Sequence, residues 1–318
     1  MSFLPIHSFR FWKAYLIHMR PYLLFVSGVA GLSGIAVAPI SSMSGVWVLL
    51  CFLPLFLSYG FGQALTDCFQ VDTDRLSAPY RPLSQGIVSS SSIGAVSLLG
   101  LLTGVGLLVF LNRWNLLFGA MAILGLATYT FFKKRFWFAG PFYNAWIVAL
   151  LPLIGYLSMI RFGLPEQYSV IFPLMALSFF AYTNFVLMGY LKDIRADRET
   201  GYKTFPVVFG WNPTVWVGDF LVLLSAGWGA ALTFSGGWSK VVWGLATVIA
   251  VAGQLYAHLT SEKTETNAAG PIAATVRSFI LWHLAVILEF RQEWWPYLVL
   301  FYLLFELALW KRPSQAQV

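Results

Sequence analysis

The chain reads as all-α: a polytopic integral membrane bundle of nine or ten transmembrane helices. Three observations carry that reading. Hydrophobic residues make up 58% of the 318 and charged ones only 10%, against about 25% charged in an ordinary soluble domain. Apolar stretches recur along the whole length. Lys and Arg gather in alternate connections between them, as in a protein that crosses a bilayer repeatedly. In hydrocarbon every backbone polar group must be satisfied internally, and for apolar runs of this length that means helices.

Taken in order, apolar stretches fall at 21–39, 46–66, 92–111, 115–132, 141–160, 168–191, 213–234 and 240–259. Each approaches the ~20 residues that a spanning helix needs. Two more, 276–290 and 295–310, fall short of that length, which leaves the count between nine and ten. No long apolar core ending in a small-residue site accompanies Arg10, Lys13 and Arg20, so no cleaved signal peptide is expected. With the N-terminus in the cytoplasm, 16 of the 20 Lys and Arg lie on the cytoplasmic side, leaving Arg113, Arg161, Lys240 and Arg291 outside. The net charge of +7 follows from that bias; attraction to anionic membrane lipid accounts for it, and no nucleic-acid partner is expected. Two cysteines, Cys51 and Cys68, are too few for a disulfide framework or a cysteine metal cluster. No soluble domain or tail stands out, so residues 1–318 are read as one membrane-embedded domain.

Acid is concentrated. Of 13 Asp and Glu, six lie in two short segments: Asp67, Asp72 and Asp74 after the second helix, and Asp193, Asp197 and Glu199 after the sixth. Charge topology puts both on the cytoplasmic side. If the second helix continues, Asp67, Gln70 and Asp74 share one face at i, i+3 and i+7. Asp193 and Asp197, at i and i+4, face together likewise. Carboxylates gathered at a membrane interface need cations to hold them. Paired carboxylate oxygens suit Mg²⁺, which keeps several waters and bridges to phosphate. Arg75 and Arg81 accompany the first segment, Lys192, Arg195, Arg198 and Lys203 the second, and Lys133, Lys134 and Arg135 lie on the same side. Such a set serves a diphosphate, or equally a phospholipid headgroup.

The stretch Thr66-Asp-Cys-Phe-Gln-Val-Asp-Thr-Asp-Arg-Leu-Ser-Ala-Pro-Tyr-Arg-Pro-Leu-Ser-Gln-Gly86 resembles the first motif of the UbiA superfamily of intramembrane prenyltransferases. That motif reads roughly Asn-Asp-x-x-Asp-x-x-x-Asp, then Pro-x-Arg-Pro-Leu-x-x-Gly. Lys192-Asp-Ile-Arg-Ala-Asp-Arg-Glu-Thr-Gly-Tyr-Lys-Thr-Phe-Pro-Val-Val-Phe-Gly210 is similar to the second, Asp-x-x-x-Asp-Arg-x-x-Gly-x-x-Thr-x-Pro. Arg20-Pro21, and Tyr129 with Lys133 and Lys134, are weaker matches. The resemblance implies a bundle of usually nine spans around a lipid-open cavity capped by short cytoplasmic helices. It also implies a polyprenyl diphosphate bound through Mg²⁺ on the two acidic motifs. Ionisation would leave an allylic cation for an electron-rich, aromatic or quinone-like acceptor to attack. Position by position, Asp67, Asp74, Asp193 and Asp197 match motif acids and are the expected catalytic metal ligands, with Gln70 and Asp72 assisting. Arg81, Lys133, Lys134, Arg198 and Lys203 are the expected diphosphate-binding cations. The departures are Thr66 for the motif's Asn and Gln70 for its central Asp; an alternative register starts the motif at Gln63.

The expectation is thus an Mg²⁺-dependent prenyltransferase of a bacterial inner membrane, its N-terminus and site cytoplasmic. Two rivals stay open: a membrane terpene cyclase on the same scaffold, needing no acceptor, and a transporter or lipid-binding protein. Among other residues, Asp219 inside a span is a functional candidate by default, and Asn144 and Asn184 suit contacts between helices. Glu306 is expected to pair with Lys311 and Glu289 with Arg291. His258 and His283 have no partner at metal-ligand spacing.

Overall fold

The computed structural model describes residues 3–39, 44–160, 163–164 and 168–312, and among them the chain is helical throughout, with no strand. The long helices are α3 (Gly45–Asp67), α5 (Ser90–Leu111), α6 (Trp114–Arg135), α7 (Ala139–Ile160), α8 (Tyr168–Gly189), α11 (Trp211–Leu232), α12 (Gly237–Leu259) and α13 (Ala269–Phe290). These eight are long and apolar enough to cross a membrane. The bent pair of α1 (Phe9–Met19) and residues 21–37, which include α2 (Leu24–Val37), meets at 45° and passes the same test only when its two parts are taken together, as one broken span or a re-entrant loop. The protein is an integral membrane protein.

The sequence underestimates one span. Residues 269–275 are Ala, Gly, Pro, Ile and Thr, too small and mixed to read as an apolar run, yet they form the first two turns of α13. The ninth apolar stretch therefore belongs to a full-length helix. The tenth, α14 (Trp295–Trp310), has 16 residues, about 24 Å at 1.5 Å per residue, short of the ~30 Å hydrocarbon core. The amphipathic α1 was not foreseen.

Hydropathy does not separate inner from outer helices, because lipid is as apolar as a protein interior. Small residues do separate them. Gly28, Gly31 and Gly34 run along α2, where a Cβ added to Gly34 would lie 1.9 Å from the Pro152 carbonyl oxygen of α7; one on Gly155 of α7 would lie 2.3 Å from that of Gly31. The two backbones touch. Helices α2, α7, α8 and α13 form the inner layer, while α5, α6 and α12 present Leu99, Phe110, Leu124 and Val248 outward as a lipid-facing surface. Gly34→Ala has no room and should cost about 1–3 kcal/mol or more, lowering the melting temperature of the detergent-purified protein by several degrees. Gly106→Ala, with nothing within 4 Å, should leave it unchanged.

Short helices cap one end of the bundle: α4 (Val71–Ser77), α9 (Ile194–Glu199) and α10 (Phe205–Phe209). Across 127 residues of sequence, the Thr73 and Thr200 hydroxyls bond at 3.0 Å, joining α4 to the end of α9. Arg113, Lys240 and Arg291 sit at the ends of α6, α12 and α13 away from these caps; Arg161 lies outside the described residues. Two pairings differ from expectation. Glu306 takes a two-pronged bond from Arg277 (2.7 and 2.9 Å) rather than pairing with Lys311. Glu289 accepts from Ser235 and Ser239, and Arg291 donates to the Ala38 carbonyl. Sequence neighbours lost in each case to a partner on an adjacent element. Asp219 bonds His258 of α12 at 2.7 Å, and Asn184 accepts from Gln254.

Candidate active site

Helix α3 does not carry the first motif on one continuous face. It ends at Asp67, the chain turns through residues 68–70, and α4 starts at Val71. The turn nevertheless brings Asp67, Gln70 and Asp74 to the wall of one cavity under the caps. Asp193 reaches the same cavity from the segment between α8 and α9, where it precedes the first residue of α9. Arg20, Arg81 and Lys133 complete the charged lining.

The first segment is closed by cations. Asp67, 2% exposed, accepts from His18 Nδ1 at 2.9 Å through one oxygen; through the other it meets Arg20 at 2.7 Å and Arg81 at 3.4 Å. Arg81 also holds Asp74 at 2.5 Å. Burial works against the Arg81 charge, but the carboxylates of Asp67 and Asp74 overcome it and keep the guanidinium firmly protonated.

The second segment is built differently. The backbone N–H of Asp197 bonds the Asp193 carbonyl at 2.8 Å, the first turn of α9. Burial, and then the neighbouring Asp197, push the Asp193 carboxyl up to about 6. Asp197 is fully buried; one oxygen accepts from Thr204 at 3.0 Å, and the other, Oδ1, accepts no hydrogen bond. Lys133 Nζ lies 3.5 Å from that oxygen, 3.3 Å from Gln70 Oε1, and over the Tyr190 and Tyr202 rings at 5.0 and 5.1 Å. A buried carboxylate oxygen without a donor, beside a second buried acid, fits a hard cation such as Mg²⁺. Among the described residues no three His, Cys, Asp or Glu side chains converge to cage an ion, so water or ligand oxygens would complete the shell.

Five expected site residues are absent from the cavity wall: Asp197, buried against Lys133, and four that lie toward the outside. Asp72 and Lys134 pair with each other at 3.0 Å on the outer surface, each nearly half exposed; Tyr202 donates to Asp72. Partial burial works against the Asp72 charge, but Lys134, the Thr73 N–H and the Tyr202 hydroxyl together hold its carboxyl low. Arg198 and Lys203 are exposed and absent from the cavity wall. Conversely, Arg20 lines the cavity and His18 bonds Asp67 from outside it, and the sequence reading singled out neither as a site residue. Arg20-Pro21 was visible as a motif fragment, but a basic residue ahead of a first span is also an ordinary topological signal.

A second, apolar cavity lies among α3, α5, α6 and α7 and shares Tyr59, Gln63, Asn144 and Tyr182 with the charged one. Asn144 thus lines a junction between cavities rather than only a helix contact. Tyr182 donates to Tyr59 at 3.2 Å, and the Tyr129 and Tyr190 hydroxyls bond at 2.7 Å.

Comparison with known proteins places this architecture. The chain is 26% identical over 214 residues to the digeranylgeranylglyceryl phosphate synthase of Thermococcus kodakarensis, covering 67% of this chain and 75% of that one. It is 29% identical over 198 residues to the Pyrococcus abyssi protein of the same name, covering 62% and 69%. A solved UbiA homologue from Aeropyrum pernix superposes with a TM-score of 0.69 at 17% identity, over 86% of this chain and 98% of that one. One from Archaeoglobus fulgidus, bound to DMAPP and Mg²⁺, superposes with a TM-score of 0.64 at 18% identity, over 86% and 98%. The profile of the UbiA prenyltransferase family matches residues 25–274, and the chain belongs to that family.

Proposed function

We propose that this prenyltransferase ionises a prenyl diphosphate with Mg²⁺ bound at the second acidic segment, and joins the released prenyl group to an acceptor within the membrane. One observation supports the reading above all others: the charged cavity adjoins an apolar one through Tyr59, Gln63, Asn144 and Tyr182. An anionic head and an apolar tail fit across that junction. The Archaeoglobus homologue solved with DMAPP and Mg²⁺, and again with GPP and Mg²⁺, lends support on the same fold.

Bound Mg²⁺ supplies positive charge to the departing diphosphate. The chain supplies the rest. Asp193 and Asp197 would hold the ion. Lys133, fixed by Asp197, Gln70 and two tyrosine rings, stays where negative charge grows as the carbon–oxygen bond breaks. The Tyr59 and Tyr182 rings stand at the junction, where an allylic cation gains from aromatic faces. The apolar walls beyond keep water from trapping it. Asp72, Lys134, Arg198 and Lys203 form an outer charged rim. We place that rim and the N-terminus in the cytoplasm, on the positive-inside bias. The named relatives are archaeal, so the expected bacterial inner membrane narrows to an integral membrane protein.

The expected acceptor is aromatic or quinone-like. A second reading, a lipid hydroxyl, draws support from relatives named for making digeranylgeranylglyceryl phosphate. Purified protein with Mg²⁺, a panel of prenyl diphosphates, and aromatic or glyceryl-phosphate acceptors, read by mass spectrometry, separates them. Consumption of diphosphate without acceptor would instead mark a cyclase, and no pyrophosphate release under any condition would mark a transport or lipid-binding protein. Gln70→Asp should keep activity within a few fold, since a carboxylate there still meets Lys133. Gln70→Leu should lose about tenfold, or about 1.4 kcal/mol. Equal inactivity of the two would overturn the register that sets Gln70 at the motif's central acid.

A further inference from the structure

We infer that the apolar cavity opens sideways into the bilayer between α3 and α5, so that a prenyl tail longer than the cavity runs out through that seam. Gly104 keeps the seam passable and so decides which chain lengths are accepted. The inference rests on the proposed seating of the prenyl tail in the apolar cavity, and extends the substrate class to long-chain prenyl diphosphates.

A further apolar space, a groove on the outer face of the bundle, lies between α3 and α5. Leu53 and Leu57 of α3 and Leu99 and Leu107 of α5 form its sides; Leu53, Leu99 and Leu107 are exposed to lipid. Each helix turns a different face inward, with Leu55, Tyr59 and Gly62 of α3 and Leu101, Val105 and Leu108 of α5 lining the apolar cavity. Between those faces stand Pro54, Phe61, Gly100 and Gly104, which line cavity and groove alike. The enclosed space and the lipid-facing one thus meet at a single pair of helices.

Little fills that seam. A Cβ added to Gly100 would lie 2.6 Å from the Phe61 ring, so one rotatable side chain rests against the α5 backbone there. A Cβ added to Gly104 would find Pro54 Cβ at 3.6 Å and nothing nearer. At the cap end the groove is covered by α1: Trp12 lines it, and the Tyr15 hydroxyl bonds Ser97 of α5 at 2.8 Å. A tail that starts at the junction is therefore steered away from the caps. From Gln63 to Pro54 it follows about 14 Å of α3, and beyond that a longer tail passes between the helices. Hydrocarbon outside is as apolar as the cavity walls, so the exit carries no desolvation cost.

The first test uses the wild-type chain. A geranylgeranyl thiolodiphosphate, which ionises slowly, carries a diazirine at its tail end and is photolysed on the purified protein in phosphatidylcholine nanodiscs with Mg²⁺. Labelling that excess geranyl thiolodiphosphate removes is mapped by mass spectrometry. Insertion at Leu53, Leu57, Leu99 or Thr103 is expected. Insertion confined to Ile147, Val148 and Leu151, on the inner wall, would overturn the inference while leaving prenyl transfer standing. Absence of any displaceable label would overturn the seating of the tail itself. The second test compares dissociation constants of the geranylgeranyl and geranyl compounds. Gly104→Leu should weaken the longer relative to the shorter by at least about tenfold. Gly106→Leu, on the same helix with nothing within 4 Å, should leave that ratio unchanged. A wild-type ratio in Gly104→Leu would overturn the assignment of chain-length choice to this position.

Discussion

Prenyl transfer should fall by about a hundredfold or more when Asp193 becomes alanine, with the protein still folded. Asp193 lines the cavity from the segment between two helices, and burial beside Asp197 already disfavours its charge, so its removal relieves repulsion while deleting an oxygen proposed to hold the metal. Asp197 behaves differently. Alanine there would leave Lys133 buried with a missing partner, at about 3–5 kcal/mol, and would confuse instability with lost chemistry. Asparagine keeps an oxygen for the Thr204 hydroxyl and is the cleaner variant. Steady-state turnover at low millimolar Mg²⁺, beside a size-exclusion profile and melting temperature, checks both. Near-wild-type activity in either would end the assignment of the second segment to metal.

The second large effect separates two adjacent lysines. Sequence treats Lys133 and Lys134 as one clamp; their positions in the fold do not. Lys133 is buried against Asp197 and two tyrosine rings, whereas Lys134 holds Asp72 at the surface. Lys133→Ala should cut turnover by at least about tenfold and weaken prenyl diphosphate binding, with a lower melting temperature because Asp197 loses its cation. Lys134→Ala should change turnover less than about twofold, an exposed pair being worth about 0–1 kcal/mol. Single-variant kinetics with binding measurements decide. Equal losses would restore the two-lysine clamp.

That pair shows where sequence stopped. Membrane spans were legible because a run of apolar residues and a skew of basic ones are one-dimensional signals. The two acidic segments were legible because carboxylates are rare in this chain. Which neighbour faces inward was not: consecutive residues on a helix point about 100° apart, and Phe131, Phe132, Phe136, Trp137 and Phe138 around the lysines carry no polar–apolar period to set the phase. Arg198 could not be placed for the same reason, since a cap six residues long gives too few turns to show a face, and Lys203 lies outside any helix. The extra length of α13 hid behind small residues that pack well and score as weakly apolar.

Arg20 carries a consequence for anyone redesigning this protein. Among the described residues it is the one non-glycine with positive φ, +48°, at the break between α1 and α2. A left-handed backbone costs an L-residue about 1–2 kcal/mol, and every local criterion would prefer glycine or asparagine at that corner. The guanidinium it delivers, however, holds Asp67 and Gln63 at 2.7 and 2.6 Å. Position 20 is thus frustrated: chain geometry and electrostatics rank its residues in opposite orders. A stabilising screen that scores backbone comfort alone will choose the substitution that unbuilds the cavity, and tolerance to change at this corner will track charge, not shape.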